Sequence, residues 1–189
     1  MPAGTLVASE RRFHYTRNGV PMPGDAADAE RAIDSASRLR DDQTVIPPFD
    51  SRGNLPPGIH SASWAEVVGR YGETPWRLEL LAGLKTALDN LKAAGSRRAY
   101  LNGSFVTSKT NPGDFDGCWE VAGVDPALLD PVLRDWYPPR AAQKARFRGE
   151  LLPVNTLLPP TWASMLDFFQ TDRDGNPKGI ISLDLGVLP

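Results

Sequence analysis

The stretch that decides the fold is YLNGSFVTSKTNPGDFDG, residues 100–117 of the chain. It begins with apolar residues, continues into a Gly103-Ser104 pair, and reaches Asp114 and Asp116 after an Asn-Pro-Gly turn signal. Alternate residues of a strand point to the same face of a sheet, so the two aspartates are expected to project together. Two ionised carboxylates side by side repel each other, and a divalent cation relieves that repulsion. The stretch therefore predicts two strands, with an Mg²⁺ site on the second formed by Asp114 and Asp116.

The Gly103-Ser104 pair between the two strands predicts a phosphate-binding turn. Glycine lets another group approach the backbone closely, and Ser104 is expected to begin a short helix. Free N–H groups at a helix start, beside a serine hydroxyl, suit a phosphate group. Lys109, five residues after Ser104, is a candidate cation for the same phosphate group, and Lys178 is another.

Outside this stretch, hydrophobic periodicity predicts alternating helices and strands. The clearest helix is 75–94, with proline in its first turn, and a capping box at Ser63 and Glu66 predicts another helix just before it. Strands are expected at 96–103, 114–123, 146–157 and 179–188, further helices at 125–136 and 161–170, and an extended Pro/Gly-rich connector at 45–63. This pattern indicates an α/β (α+β) fold in which helices flank a mixed sheet.

Residues 1–45 are predicted to form an N-terminal appendage to the main domain, which spans 46–189. Asn18-Gly19 is a hairpin turn signal, and a thin amphipathic helix is expected after Asp25.

Composition excludes several classes of protein. The chain of 189 residues carries 21 basic and 23 acidic residues, a net charge of −2, so we expect no DNA partner held by electrostatics alone. Cys118 is the only cysteine, which excludes an internal disulfide and a multi-cysteine zinc site. The sequence shows neither an apolar signal region at its start nor a run of about 20 apolar residues. We therefore expect a cytoplasmic protein with no membrane partner.

The pattern Gly-Ser, about ten residues, then Asp-x-Asp resembles the DNA polymerase β-like nucleotidyltransferase superfamily. The segments LPPGIHSASWAEVV (55–68), LNGSFVTSKTNPGDFDG (101–117) and GNPKGIISLDL (175–185) resemble more closely an uncharacterised family of small bacterial nucleotidyltransferase-like proteins. The resemblance covers residues 46–185 and implies a nucleotidyltransferase-like fold for that region.

The resemblance also implies roles for individual residues. Gly103 and Ser104 match the phosphate-binding turn, and Asp114 and Asp116 match the metal-binding carboxylates of a site that holds two Mg²⁺ ions with a nucleoside triphosphate (NTP). A third catalytic carboxylate usually comes from a later strand, and Glu150 is the best candidate here. The implied activity is transfer of a nucleoside monophosphate (NMP) to a hydroxyl of RNA, tRNA included, or of a protein. A basic run is placed to hold the triphosphate or the RNA: Arg134, Arg140, Lys144, Arg146 and Arg148.

Other interpretations of the same residues stay open. The aspartates are equally compatible with a solvated strand face, and the basic run with an ordinary charged surface. A second functional hypothesis is a non-catalytic antitoxin or sensor of this fold that binds a cognate partner protein in a toxin–antitoxin or phage-defence pair. A third is a metal-dependent phosphodiesterase that uses the same carboxylates without NTP.

Overall fold

The computed structural model describes residues 46–136, 138–161 and 163–189. The predicted hairpin and helix of the appendage, residues 1–45, lie outside these residues and stay a prediction. Within the described residues, no helix has the length and apolar character needed to cross a bilayer.

A mixed sheet of five strands forms the centre of the described fold, in the order β1-β7-β2-β3-β4. These strands are β1 (Gly58–Ala62), β2 (Arg98–Asn102), β3 (Phe115–Trp119), β4 (Gly149–Pro153) and β7 (Gly179–Asp184). β1 runs parallel to β7 and β3 runs parallel to β4, whereas β2 is antiparallel to both of its neighbours. The remaining two strands, β5 (Leu157–Leu158) and β6 (Ala163–Ser164), form a separate short hairpin. The predicted mixed α/β architecture is thus confirmed.

Helices flank the sheet as predicted: α1 (Trp64–Tyr71), α2 (Pro75–Ala93), α3 (Ala141–Phe147) and α4 (Met165–Phe169). The capping box at the start of α1 is present, because the Ser63 hydroxyl accepts from the Glu66 N–H while the Glu66 carboxylate accepts from the Ser63 N–H. α2 begins one residue after Thr74, whose hydroxyl caps it, and carries proline at its start.

The two faces of the sheet differ in what covers them. One face packs under α2 in the main core, which includes Leu101, Phe115 and Leu151. The other face carries a smaller cluster, in which Tyr100, Cys118 and Leu152 pack with residues of α4. Since side chains alternate along a strand, the residues two positions from these on β2, β3 and β4 share the second face. Those residues are Asn102, Asp116 and Glu150.

The helix predicted at 125–136 is wrong. The structure has only a short 3₁₀ segment, Pro131–Arg134, capped by the Asp130 carboxylate, which accepts from the Val132 N–H. Pro126 and Pro131 each remove a backbone donor and disfavour helical geometry in the residue before them, and that outweighs the apolar spacing.

Three other boundaries also differ from the prediction. The strand expected from residue 146 begins at Gly149, because Arg146 and Phe147 belong to α3 and Arg148 ends that helix with φ +67°. The helix expected over 161–170 begins only at Met165, after the β5–β6 hairpin. The connector 45–63 contains β1, which depends on pairing with β7, about 120 residues later in the chain.

Candidate active site

Three carboxylates meet at one end of the sheet, where β3 and β4 begin. Asp116 on β3 stands opposite Glu150 on β4 in the parallel register, and Asp114 lies two residues before Asp116. One carboxylate oxygen from each of these residues lies within 4.8 Å of those of the other two. The structure therefore brings together the acidic pair and the candidate third carboxylate, although β3 and β4 are separated by 29 residues of chain.

Gly103 lies directly against the carboxylate of Asp116. Its φ of 76° and ψ of −168° fall in a region that only glycine adopts without strain. A Cβ added there would collide with an Asp116 carboxylate oxygen and would lie 2.9 Å from Asp116 Cγ. The Gly103-Ser104 turn and the Asp-x-Asp pair are thus one contiguous site, and glycine is required where they touch.

Asn102 is a member of this site that the sequence reasoning did not identify. It is the antiparallel partner of Asp116 in the β2–β3 register, so the two side chains share a face of the sheet. The residue is only 6% exposed, and its Oδ1 has no hydrogen-bond partner in the part of the chain that the structure describes. A buried amide oxygen without a donor is costly, and next to Asp116 it offers one more oxygen for a cation. A polar residue at the end of an otherwise apolar strand is the sequence signal that marks it.

Two cations from α3 and the residue before it pair with the carboxylates. Lys144 Nζ lies 2.7 Å from Asp114 Oδ2 and 3.5 Å from Glu150 Oε1. Arg140 donates from Nε to Glu150 Oε2. The hydrogen bond with Asp114, more than any other contact, raises the pKa of Lys144, so the ammonium stays charged. Two members of the basic run, which is predicted to hold a triphosphate or an RNA, pair with the carboxylates of Asp114 and Glu150 in this structure.

Asp116 is the carboxylate whose charge is least compensated. Burial, followed by repulsion from Asp114 and Glu150, raises its pKa to about 6. Lys144 and Lys178 oppose this rise, and neither forms an ion pair with Asp116 among the described residues. The pKa of Lys178 is lowered, mainly because the side chain is buried. A partly buried acid held next to two others is a feature of sites that bind a divalent cation, since the cation supplies the missing positive charge.

The geometry gives less support to the phosphate-binding roles predicted for Ser104, Lys109 and the rest of the basic run. Ser104 opens a single 3₁₀ turn, Ser104–Val106, rather than a regular helix, so its phosphate role stays a prediction. Lys109 lies in the wall of a separate cleft, and the cations that act on Asp116 are Lys144 and Lys178. In the rest of the basic run, Arg146 pairs with Asp130 at 2.6 Å, away from the carboxylates.

Two side chains of α2 hold the loop that joins Ser104 to Asp114. The buried guanidinium of Arg77 donates to the carbonyl oxygens of Phe105, Thr107, Lys109 and Thr110. Trp76 donates from Nε1 to the Pro112 carbonyl at 2.6 Å. These contacts place the two halves of the motif relative to each other, and nothing in the local sequence indicated them.

Comparison with known proteins gives a family without an assigned activity. Residues 47–184 match the model of a family described as "Family of unknown function (DUF6932)". The chain belongs to this family. The matched region contains Gly103, Ser104 and all three carboxylates. No curated protein and no solved structure matches the chain.

Proposed function

We propose that this DUF6932 protein is an Mg²⁺-dependent nucleotidyltransferase that moves an NMP from an NTP to a hydroxyl of RNA or of a protein. The observation that carries the proposal is the convergence of Asp114, Asp116 and Glu150 within 4.8 Å, with Gly103 packed against Asp116. Three oxygen ligands at the end of adjacent strands, beside a glycine turn, are what metal-assisted phosphoryl chemistry needs. The orphaned Oδ1 of Asn102 supports the same interpretation.

The donor set fits magnesium, a hard cation that takes oxygen ligands. Asp114 and Asp116 would hold the metal and Glu150 would complete the site. When bound, Mg²⁺ stabilises the negative charge that develops on the entering and leaving oxygens. Lys144 and Arg140 are the cations nearest to the carboxylates and are placed to pair with phosphate oxygens once the carboxylates serve a metal.

In the proposed reaction, the acceptor hydroxyl oxygen forms a bond to the α-phosphorus of the NTP. The bond from that phosphorus to the oxygen bridging to the β-phosphate breaks, and pyrophosphate leaves with the electron pair. The hydroxyl proton passes to a carboxylate of the cluster. Gly103 and Ser104 orient the phosphates through their backbone N–H groups and the serine hydroxyl.

The test is label transfer from each of four α-³²P NTPs, with Mg²⁺, to total RNA and to the proteins of a cell extract. We expect a labelled product with the wild type and with Glu79→Gln, an exposed glutamate on α2 that serves as the matched control. Asp116→Asn should give none. Absence of label with every NTP, or undiminished label with Asp116→Asn, contradicts the proposal. Cleavage of a phosphodiester without NTP would instead indicate the phosphodiesterase hypothesis.

One observation favours the second candidate function, a non-catalytic antitoxin or sensor that binds a cognate partner protein. Arg140 and Lys144 already pair with Glu150 and Asp114, so two of the three carboxylates are compensated by the protein itself. Calorimetry separates the two candidates. Mg²⁺-dependent binding of an NTP analogue supports the enzyme, whereas no binding together with a stable complex with a neighbouring gene product supports the sensor.

A further inference from the structure

A cleft of about 230 Å³ opens beside the loop that joins Ser104 to Asp114, and none of the three carboxylates lines it. One wall is the end of α1 and the turn after it, with Arg70, Tyr71 and Glu73, and the opposite wall is the loop Thr107–Thr110. Phe49 and Arg77 complete the lining. The cleft is therefore distinct from the acidic cluster, and it shares only the loop between Ser104 and Asp114 with it.

Two residues that line the cleft, Arg70 and Tyr71, each carry a buried polar atom that has no hydrogen-bond partner among the described residues. Tyr71 is 1% exposed and its hydroxyl is unpartnered, and the Nε of Arg70 is buried and unpartnered as well. Leaving such groups unsatisfied costs free energy, so structures normally satisfy them with protein, water or a ligand. Burial raises the pKa of Tyr71 above its usual value, so the hydroxyl keeps its proton and remains a donor. Arg70 Nε–H can only donate, so a ligand for the Tyr71 hydroxyl and the Arg70 Nε–H must supply hydrogen-bond acceptors.

The charge of the lining favours an anionic acceptor. Three cations, Arg70, Arg77 and Lys109, line the cleft against a single carboxylate, that of Glu73. The guanidinium of Arg70 lies over the Phe49 ring at 4.4 Å, which holds its planar group at the cleft wall. Buried N–H and O–H donors with an excess of positive charge are the features that bind carboxylate and phosphate oxygens.

Hydrogen bonds hold the loop wall of the cleft, which is part of the segment between Ser104 and Asp114. Arg77 holds the loop wall through four backbone carbonyls, from Phe105 to Thr110. Ser108 ties the same loop to the connector, since its N–H donates to the Gly53 carbonyl at 2.9 Å. A ligand seated between Tyr71 and this loop would add contacts to both walls and would restrict the segment that joins Ser104 to Asp114.

We propose that this cleft is a second binding site, specific for a small oxyanion of carboxylate or phosphate chemistry, whose occupancy orders the loop Thr107–Thr110. When the anion enters, the Tyr71 and Arg70 side chains shift so that the hydroxyl and the Nε–H, both buried in the free protein, donate to its oxygens, and the exposed Lys109 closes the outer side. The site requires neither metal nor nucleotide. Anion binding at this site can therefore be tested independently of the nucleotidyltransferase activity.

The experiment titrates the protein with inorganic phosphate, and separately with acetate, in a chloride buffer containing EDTA, while amide resonances are followed by NMR. We expect saturable shifts at residues 70–73 and 107–110. The anion that saturates the protein at the lower concentration shows whether the site prefers phosphate or carboxylate. Tyr71→Phe should weaken binding about tenfold, because it removes a hydrogen bond to a charged group. Tyr100→Phe is the matched control, because its hydroxyl bonds to Glu120 on the other face of the sheet, and binding should not change.

Three binding results would overturn the proposal: no saturable shift with either anion, equal affinity in Tyr71→Phe and the wild type, or loss of binding in Ser104→Ala alone, which would locate the anion at the Gly103-Ser104 turn. Folding is monitored by thermal melting. Since the Tyr71 hydroxyl is unpartnered, Tyr71→Phe should melt at or above the wild-type temperature without anion. A clear fall in that temperature would show that the hydroxyl is already bonded, which also contradicts the proposal.

Discussion

Asp116 faces Glu150 across the parallel pairing of β3 and β4, and on its other side it faces Asn102 across the antiparallel pairing with β2. A row of three polar side chains therefore crosses three adjacent strands at one end of the sheet. Asp114 lies beside this row and Gly103 contacts it. The register of the sheet, rather than any single loop, determines the spacing of these oxygens.

Glu150→Gln should weaken Mg²⁺ binding at least about tenfold, since even residues behind a metal ligand typically contribute tenfold or more to affinity. The change keeps the size of the side chain and removes the charge. Calorimetric titration with Mg²⁺ measures the effect, and Glu79→Gln, on the exposed side of α2, is the control. Equal affinity in Glu150→Gln and the wild type would remove Glu150 from the site.

Gly103→Ala should destabilise the protein by about 1–3 kcal/mol from backbone strain alone, and the contact with Asp116 adds to that cost. Mg²⁺ binding should be lost with it, because the Asp116 carboxylate must move. Gly69→Ala is the matched control: it lies within α1 with no atom near its added methyl group, and alanine favours the helix by about 1 kcal/mol. Urea denaturation measures both variants. A Gly103→Ala protein as stable as the wild type would mean that the turn differs from the one described.

Asp116→Asn should be more stable than the wild type at pH 7.5 without metal. The pKa of Asp116 is about 6 in the folded protein and about 3.8 in the unfolded chain. Between these values the folded state binds more protons, so the stability of the wild type falls as pH rises from about 4 through 6 and then levels off. The variant avoids this loss, which is at most about 3 kcal/mol for a shift of about two units.

Urea denaturation in EDTA at pH 4, 6 and 7.5 measures the difference between Asp116→Asn and the wild type. The difference should grow across this range and be near zero at pH 4. Asp89→Asn, at an exposed aspartate paired with Lys85, should show no comparable trend. A pH-independent difference for Asp116→Asn would mean that this carboxyl has no raised pKa.

Lys144→Met should lower the melting temperature of the metal-free protein and increase the stabilisation given by Mg²⁺. The ammonium of Lys144 contacts both Asp114 and Glu150, so its removal leaves Asp114 and Asp116 without an ion pair among the described residues, with only Arg140 still paired to Glu150, and it removes a competitor for the metal. Thermal melting with and without Mg²⁺ tests this. Lys85→Met breaks the exposed pair with Asp89 and should change stability by less than about 1 kcal/mol. If Mg²⁺ stabilises Lys144→Met no more than the wild type, the lysine does not occupy the metal position.

Local pattern was sufficient to predict much of the sheet and the longest helix. α2 follows from its leucine spacing and its proline start, and β2, β3 and β7 from short apolar runs that end in Gly, Asp or Asn. The acidic doublet was visible for the same reason, because two residues at spacing i, i+2 depend only on strand geometry.

Elements that depend on distant partners were missed or misassigned. β1 carries few apolar residues and exists because it pairs with β7. α3 looks like a basic surface segment in the sequence, yet its last residue, Phe147, packs against Gly83 of α2. A Cβ at Gly83 would collide with the Phe147 backbone. At 125–136 the apolar spacing suggested a helix, and two prolines prevented it.

The sequence by itself determined the mixed α/β class, the glycine–serine turn and the acidic pair, because each is encoded within a few consecutive residues. Only the tertiary structure decided that Glu150 joins that pair, that Asn102 is buried beside it, and that Arg77 holds the loop between the two halves of the motif. Strand register and burial arise from contacts between residues far apart in the chain, so no local pattern specifies them.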